Sequence, residues 1–250
     1  MSVKLAAIVL GWVGMSVAGA ADSLTVSAAI KDPRRPCEQM QLDAWRKPAD
    51  LIVFGGVKPG DRVGDFMPGN AYFTRIFSDV VGPAGHVYGF IPTEQLQNCD
   101  PSETVGSLAI ARDRGYTNVT ITRNSLDRFS LPEKLDVLWT AQNYHDLHDP
   151  FLGPPDIATL NRAFFDSLKP GGVFIVIDHV AQSGSGIRDT NTLHRIDPER
   201  MRKEIESAGF VLEDTSQVLR NPEDDHSKPV FDSEFRGRTD QVVMRFRKPG

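Results

Sequence analysis

From residue 62 onward, short apolar runs alternate with segments of helical spacing, and this alternation narrows the fold more than any other feature of the chain. Residues 62–66 form the first run, followed by a Pro-Gly turn and by Phe73, Ile76, Phe77 and Val80 in helical register. Gly82-Pro83-Ala84-Gly85 then turns the chain into a second strand at 87–91. The pattern continues with a helix at 105–114, strands at 119–122 and 135–140, and a helix at 157–168 stopped by Lys169-Pro170-Gly171-Gly172. Residues 173–177 are apolar throughout, as in a strand buried on both faces. Residues 198–208 read as a helix with Asp197 as N-cap, Pro198 at its first position and Gly209 just past its end. Two strand-like stretches follow, 210–212 and 241–246. Strands separated by helices require right-handed crossovers, so the expectation is an α/β fold around a mostly parallel sheet.

The first twenty residues stand apart. Lys4, an apolar run from Leu5 to Val13, and Ala18-Gly19-Ala20 ahead of Ala21 have the layout of a secretory signal peptide. The run is too short to cross ~30 Å of hydrocarbon, so no membrane span is expected after signal removal and the expected location is periplasmic or secreted. Residues 21–48 are polar and interrupted by Asp32-Pro33-Arg34-Arg35-Pro36, and read as an N-terminal lead-in because proline fixes φ and removes a donor. Residues 49–54 look like the end of an amphipathic helix, which places the domain at 49–250. Lys and Arg number 28 against 33 Asp and Glu, a net charge of −5 with no basic stripe, so nucleic acid is excluded as a partner and a small molecule is expected. Cys37 and Cys99 can close a disulfide in an oxidising compartment, worth roughly 4 kcal/mol, with two separate thiols as the alternative. Two such residues do not make a zinc motif.

Three stretches carry a family likeness: Val57-Lys58-Pro59-Gly60-Asp61-Arg62-Val63-Gly64-Asp65, Val81-Gly82-Pro83-Ala84-Gly85-His86-Val87-Tyr88-Gly89, and Leu168-Lys169-Pro170-Gly171-Gly172-Val173. In this order, and with the helix ending in Ala208-Gly209-Phe210, the chain resembles class I S-adenosylmethionine-dependent methyltransferases over about residues 49–246. The resemblance implies a Rossmann-like methyltransferase fold, with helices on both faces of a mostly parallel sheet and an antiparallel final strand. It also implies a cofactor site at Asp65, Gly69 and Asn124.

The cofactor motifs depart from the family pattern. The family's loop of acid-x-Gly-x-Gly-x-Gly is here Asp65-Phe66-Met67-Pro68-Gly69-Asn70-Ala71, with only the middle glycine kept. Where the family ends its second strand on an acid for the ribose hydroxyls, this chain has Ile91, with Glu94 a few residues on. A secreted protein also lacks an obvious supply of a cofactor made in the cytosol. The expectation is therefore no cofactor, with S-adenosylmethionine as the alternative.

Titratable side chains gather instead where α/β sheets hold their ligands, in loops beyond the carboxyl ends of the strands. Asn143-Tyr144-His145-Asp146-Leu147-His148 follows the fourth strand, Asp178-His179 ends the fifth, and His194-Arg195 comes later. Imidazole beside carboxylate suits proton transfer near neutral pH, so His145, His148, His179, His194, Tyr144 and Asp146 are candidate catalytic groups. Asn143, Asp178 and Arg195, with Tyr72 and Arg75 beside the altered glycine loop, are candidate substrate contacts. A metal is not expected, because His145 and His148 at i, i+3 are not a zinc spacing. Residues 220–226 and 231–240 form a polar insertion able to act as a lid, and no G-x-S-x-G elbow is present. The expected activity is lyase-type acid/base chemistry on a small phenolic or aromatic substrate, for example carbon–carbon cleavage releasing formaldehyde. The alternatives are methyl transfer and a non-enzymatic ligand-binding module.

Overall fold

The computed structural model describes residues 23–250; the expected signal peptide, 1–20, lies outside the described residues. The helices are α1 (Ser23–Ile30), α2 (Cys37–Gln41), α3 (Asp43–Arg46), α4 (Pro48–Gly55), α5 (Tyr72–Val81), α6 (Thr93–Asn98), α7 (Val105–Ile110), α8 (Ile157–Ser167), α9 (Thr190–Leu193) and α10 (Pro198–Ser207). The strands are β1 (Arg62–Phe66), β2 (His86–Pro92), β3 (Val119–Asn124), β4 (Leu135–Ala141), β5 (Leu168–His179), β6 (Val211–Ser216) and β7 (Gln241–Arg247). They form one sheet in the order β3-β2-β1-β4-β5-β7-β6. Pairings among β1 to β5 are all parallel, and β7 runs antiparallel between β5 and β6. No helix among the described residues is long and apolar enough to cross a membrane.

The two faces of the sheet carry separate cores. On one, Trp139 of β4 packs against Phe73 and Phe77 of α5, with ring centroids 5.1 Å away in each case. On the other, Phe66, Phe90, Phe129 and Phe164 form a ring cluster with centroid spacings of 4.8–5.9 Å. β5 runs through the middle and is buried on both faces from Val173 to His179, as its unbroken apolar run requires. It begins earlier than expected: Leu168 already pairs with Leu135, and a register shift before Val137 absorbs the Pro-Gly-Gly segment. The helix expected over 105–114 ends at Ile110, where Asp113 Oδ1 accepts the Gly115 N–H in a turn.

The segment read as a lead-in is part of the domain. Val26 and Ala29 of α1 enter the first core, and the Arg35 guanidinium is buried and paired with Asp43 at 2.7 Å. Its Pro-rich stretch is non-helical, as expected. The expected Cys37–Cys99 disulfide is absent. Cys37 opens α2 facing solvent, whereas the Cys99 thiol is half-buried beside Glu103, and burial pushes its pKa up to about 11. Trp139→Ala should cost about 3–5 kcal/mol of unfolding free energy, measured by urea denaturation, because it empties the contact between α5 and β4.

Candidate active site

The strand order reverses between β1 and β4, and there the strand ends part to leave a cleft. The cleft has a volume of about 890 Å³. One wall is the loop after β1, including Asp65, Met67, Gly69 and Asn70, with Tyr72 and Arg75 at the start of α5. A second is Gln142, Asn143 and Asp146 after β4, a third is α2–α3 with Gln39 and Arg46, and the last is Gln95, Glu103 and Gly106.

The backbone after β1 keeps a conformation its side chains resist. Met67, Gly69 and Ala71 all have positive φ, at 53°, 55° and 60°. These are the three positions that glycine fills in the resembled family, and a non-glycine residue there costs of the order of 1 kcal/mol. The loop is held by its neighbours. Asn143 Nδ2 donates to the Met67 carbonyl at 2.9 Å, and Arg75 and Gln39 both donate to the Asn70 carbonyl at 2.7 Å. Gln142 and His194 are also left-handed, so four of six such non-glycine residues among those described cluster around this one region.

Arg46 and Asp65, both lining the cleft, have no opposite charge in contact. Arg46 donates to the Gln142 side-chain carbonyl at 3.0 Å and stacks on the Tyr72 ring at 4.6 Å, and burial lowers its pKa. The buried Asp65 accepts from Thr74 Oγ1 at 2.6 Å, and burial pushes its pKa up to about 7. The Tyr72 hydroxyl donates to Asp43 at 2.6 Å.

Next to the cleft stands a compact His/Asp group. His145 Nδ1 lies 2.7 Å from Asp178 Oδ1, and its Nε2 lies 3.1 Å from Asp146 Oδ1. His194 Nδ1 lies 3.8 Å from the same Asp146 oxygen. Burial works against charge on His145, but Asp178 and Asp146 outweigh it and hold its pKa well above the usual imidazole range. His194 arrives through an isolated parallel bridge between Val180 and Ile196, which lays residues 194–196 along the end of β5. Asp146 belongs to both the group and the cleft wall.

Other expected candidates are held by different partners, His179 with its ring 6.0 Å from that of His145. The Tyr144 hydroxyl is buried among Asn161 and Glu204, and His148 bonds Glu204 at 3.2 Å, in the far core. His179 bonds the Thr239 hydroxyl at 2.7 Å, and burial lowers its pKa to about 3. Arg195 is buried against Asp224 at 2.9 Å and anchors the 220–230 segment. Asn124 is spent on Ser125 N–H and the Arg128 carbonyl, and it does not line the cleft. Sequence reasoning missed Arg46, Gln95, Glu103 and Asp149, whose places depend on how α2–α3, α6 and the loop after β4 fold together.

Of the three positions at which the resemblance places S-adenosylmethionine, Asp65 and Gly69 line the cleft and Asn124 does not. Asp65 and the left-handed loop present the surface for its methionine end. At the ribose position Ile91 is fully buried and apolar, and Glu94 instead accepts the Leu126 N–H at 3.2 Å. With Asn124 also turned away, the side chains expected to hold the adenosine half do not face the cleft.

No protein-family model matches the chain. Over 135 residues it is 24% identical to the demethylmenaquinone methyltransferase of Anoxybacillus flavithermus, covering 54% of this chain and 51% of that protein. The chain thus spans about half the length of this curated relative. Its structure is similar to a SAM-dependent methyltransferase from Aquifex aeolicus (TM-score 0.59, 15% identity, 90% of this chain and 98% of that one). It is also similar to one from Mesorhizobium loti (TM-score 0.56, 17% identity, 82% and 99%) and to the cyclase SpnF (TM-score 0.59, 17% identity, 86% and 84%). The chain has the class I S-adenosylmethionine-dependent methyltransferase-like fold, a Rossmann-like α/β architecture.

Asp65 supplies a test of the cleft's electrostatics. An acid whose pKa rises from 3.8 unfolded to about 7 folded weighs against the fold progressively as pH climbs between those values, and then constantly. Asp65→Asn should therefore gain stability relative to wild type between pH 4.5 and pH 8, read from urea unfolding at both. Parallel stabilities would show that Asp65 is not buried as described.

Proposed function

We propose that the chain is a periplasmic enzyme that uses this fold for acid/base carbon–carbon cleavage on a small phenolic substrate, without S-adenosylmethionine. The observation that carries the reading is the His145–Asp146–His194 group opening through Asp146 into the cleft that Arg46 also lines without an ion-pair partner. The apolar, Ala-x-Ala-terminated N-terminal sequence supports the location, and the turned-away nucleoside positions support the absence of the cofactor.

The substrate class follows from the charges. Arg46 suits a phenolate or carboxylate, and the His/Asp group suits an alcohol that must lose its proton. A phenol bearing a benzylic leaving group and an adjacent hydroxymethyl carbon meets both needs. Its phenolate expels the leaving group, which takes up a proton, and a quinone methide remains. The His/Asp group then removes the hydroxymethyl O–H proton, the carbon–carbon bond breaks, and formaldehyde departs. The electron pair of that bond passes into the quinone methide and restores the phenolate, so no external oxidant or reductant is needed.

A second reading, methyl transfer, is favoured by the left-handed backbone at 67, 69 and 71 and by the buried Gln95 Oε1, which has no hydrogen-bond partner on the cleft wall. The two are separated by incubating purified protein with hydroxymethyl-bearing phenolic dimers and trapping formaldehyde, with and without S-adenosylmethionine. The lyase reading expects cofactor-independent formaldehyde, and Asp146→Asn should slow it ~10²–10⁴-fold. Methylated product formed only with the cofactor would overturn it.

A further inference from the structure

We propose that His145, Asp146 and His194 bind one divalent first-row metal ion of the zinc type, with its open coordination positions toward the cleft. The inference rests on the lyase reading, which it deepens by naming what holds the substrate hydroxyl.

The three ligand atoms, His145 Nε2, Asp146 Oδ1 and a His194 ring nitrogen, come from two separate loops and lie within 4.8 Å of one another. Metal–ligand bonds of ~2.0–2.2 Å place adjacent ligand atoms about 3 Å apart at a right angle and slightly farther in a tetrahedron. The 3.1 Å from Asp146 Oδ1 to His145 Nε2 matches that spacing, and the 3.8 Å to His194 Nδ1 closes to it with a small inward turn of the His194 ring. Two imidazoles and a carboxylate are the donor set of a catalytic first-row ion that keeps free positions.

Two features outside the triad point the same way. Asp178 holds His145 Nδ1 at 2.7 Å and also accepts the His145 backbone N–H at 2.7 Å. That bond holds the ring from behind through Nδ1 and leaves Nε2 facing Asp146, so an ion displacing the Nε2 proton would meet an imidazole oriented as metal-bound histidines are by a carboxylate behind them. Independently, Asp149 is fully buried, and neither of its oxygens makes a hydrogen bond. Its carboxyl senses the charges of His145, Asp146 and His194, and Thr190 is the neighbouring hydroxyl. Burial raises the Asp149 pKa, and a metal on the triad would add positive charge beside this carboxyl and favour its ionised form.

The sequence did not offer this set because its obvious pair is the wrong one. His148 turns away to Glu204, and the second imidazole comes instead from His194, brought in by the Val180–Ile196 bridge. A cation there would bind the substrate hydroxymethyl oxygen and favour its alkoxide, the form from which formaldehyde leaves, with the hydroxyl proton passing to Asp146 Oδ2, which is outside the ligand set.

The test uses the full chain stripped with chelator and titrated calorimetrically with Zn²⁺, and separately with Co²⁺ read by visible absorption. One equivalent should bind with d–d bands of nitrogen and oxygen ligation. His194→Asn, which keeps a residue tolerant of the left-handed backbone, should abolish stoichiometric binding. Asp178→Asn should weaken it ~10–100-fold, and His226→Ala, remote from the triad, should leave it unchanged. Circular dichroism of each variant separates lost ligation from lost folding. No saturable binding, or equal binding by wild type and folded His194→Asn, overturns the inference. Formaldehyde release that persists in metal-free protein overturns the metal alone, whereas a metal-loaded protein releasing none overturns the lyase reading and leaves the site standing.

Discussion

Asp178 is the group on which the site depends. It sits at the carboxyl end of the central strand, fully buried, and receives three hydrogen bonds: the backbone N–H of His145, the ring of the same histidine, and the backbone N–H of His179. A carboxylate taken out of water is stable only when so satisfied. Its partners therefore tie the loop after β4 to the end of β5, and the bridge from β5 to Ile196 brings His194 alongside. One buried charge thus fixes the positions of residues scattered over fifty positions of sequence.

The cleft beside it shows how a fold keeps its backbone path while its side chains change. Met67 and Ala71 hold left-handed conformations for which glycine is suited, and Asn143, Gln39 and Arg75 bind the loop carbonyls that keep them there. Met67 also adds its side chain to the core that contains Phe66 and Phe90. Packing on both sides offsets the local strain, so loss of glycine need not mean loss of the loop.

Much of the architecture is legible in local pattern. The run at 62–66, the capped helix beginning at Pro198 and the apolar stretch at 173–177 become β1, α10 and the core of β5 because propensity, capping and burial agree there. Residues 21–48 show less of their packing in sequence, because the short apolar pair Val26 and Ala29, one turn apart on α1, precedes a proline-interrupted stretch that dominates the local pattern. Within the loop after β4, neighbours in sequence part company: His145 meets Asp178, while Tyr144 and His148 go to Glu204. No spacing rule distinguishes them, since the choice is made by α10 on one side and β5 on the other. Arg46 and Asp149 were equally hidden, their roles arising only from tertiary burial.

The proposed function has this fold work without the nucleoside-bearing cofactor of its structural neighbours. The most direct measurement is calorimetric titration of the folded chain with S-adenosylhomocysteine. With Ile91 at the ribose position and Asn124 and Glu94 bonded to backbone, no saturable heat is expected up to millimolar ligand. Stoichiometric binding in the micromolar range would contradict it.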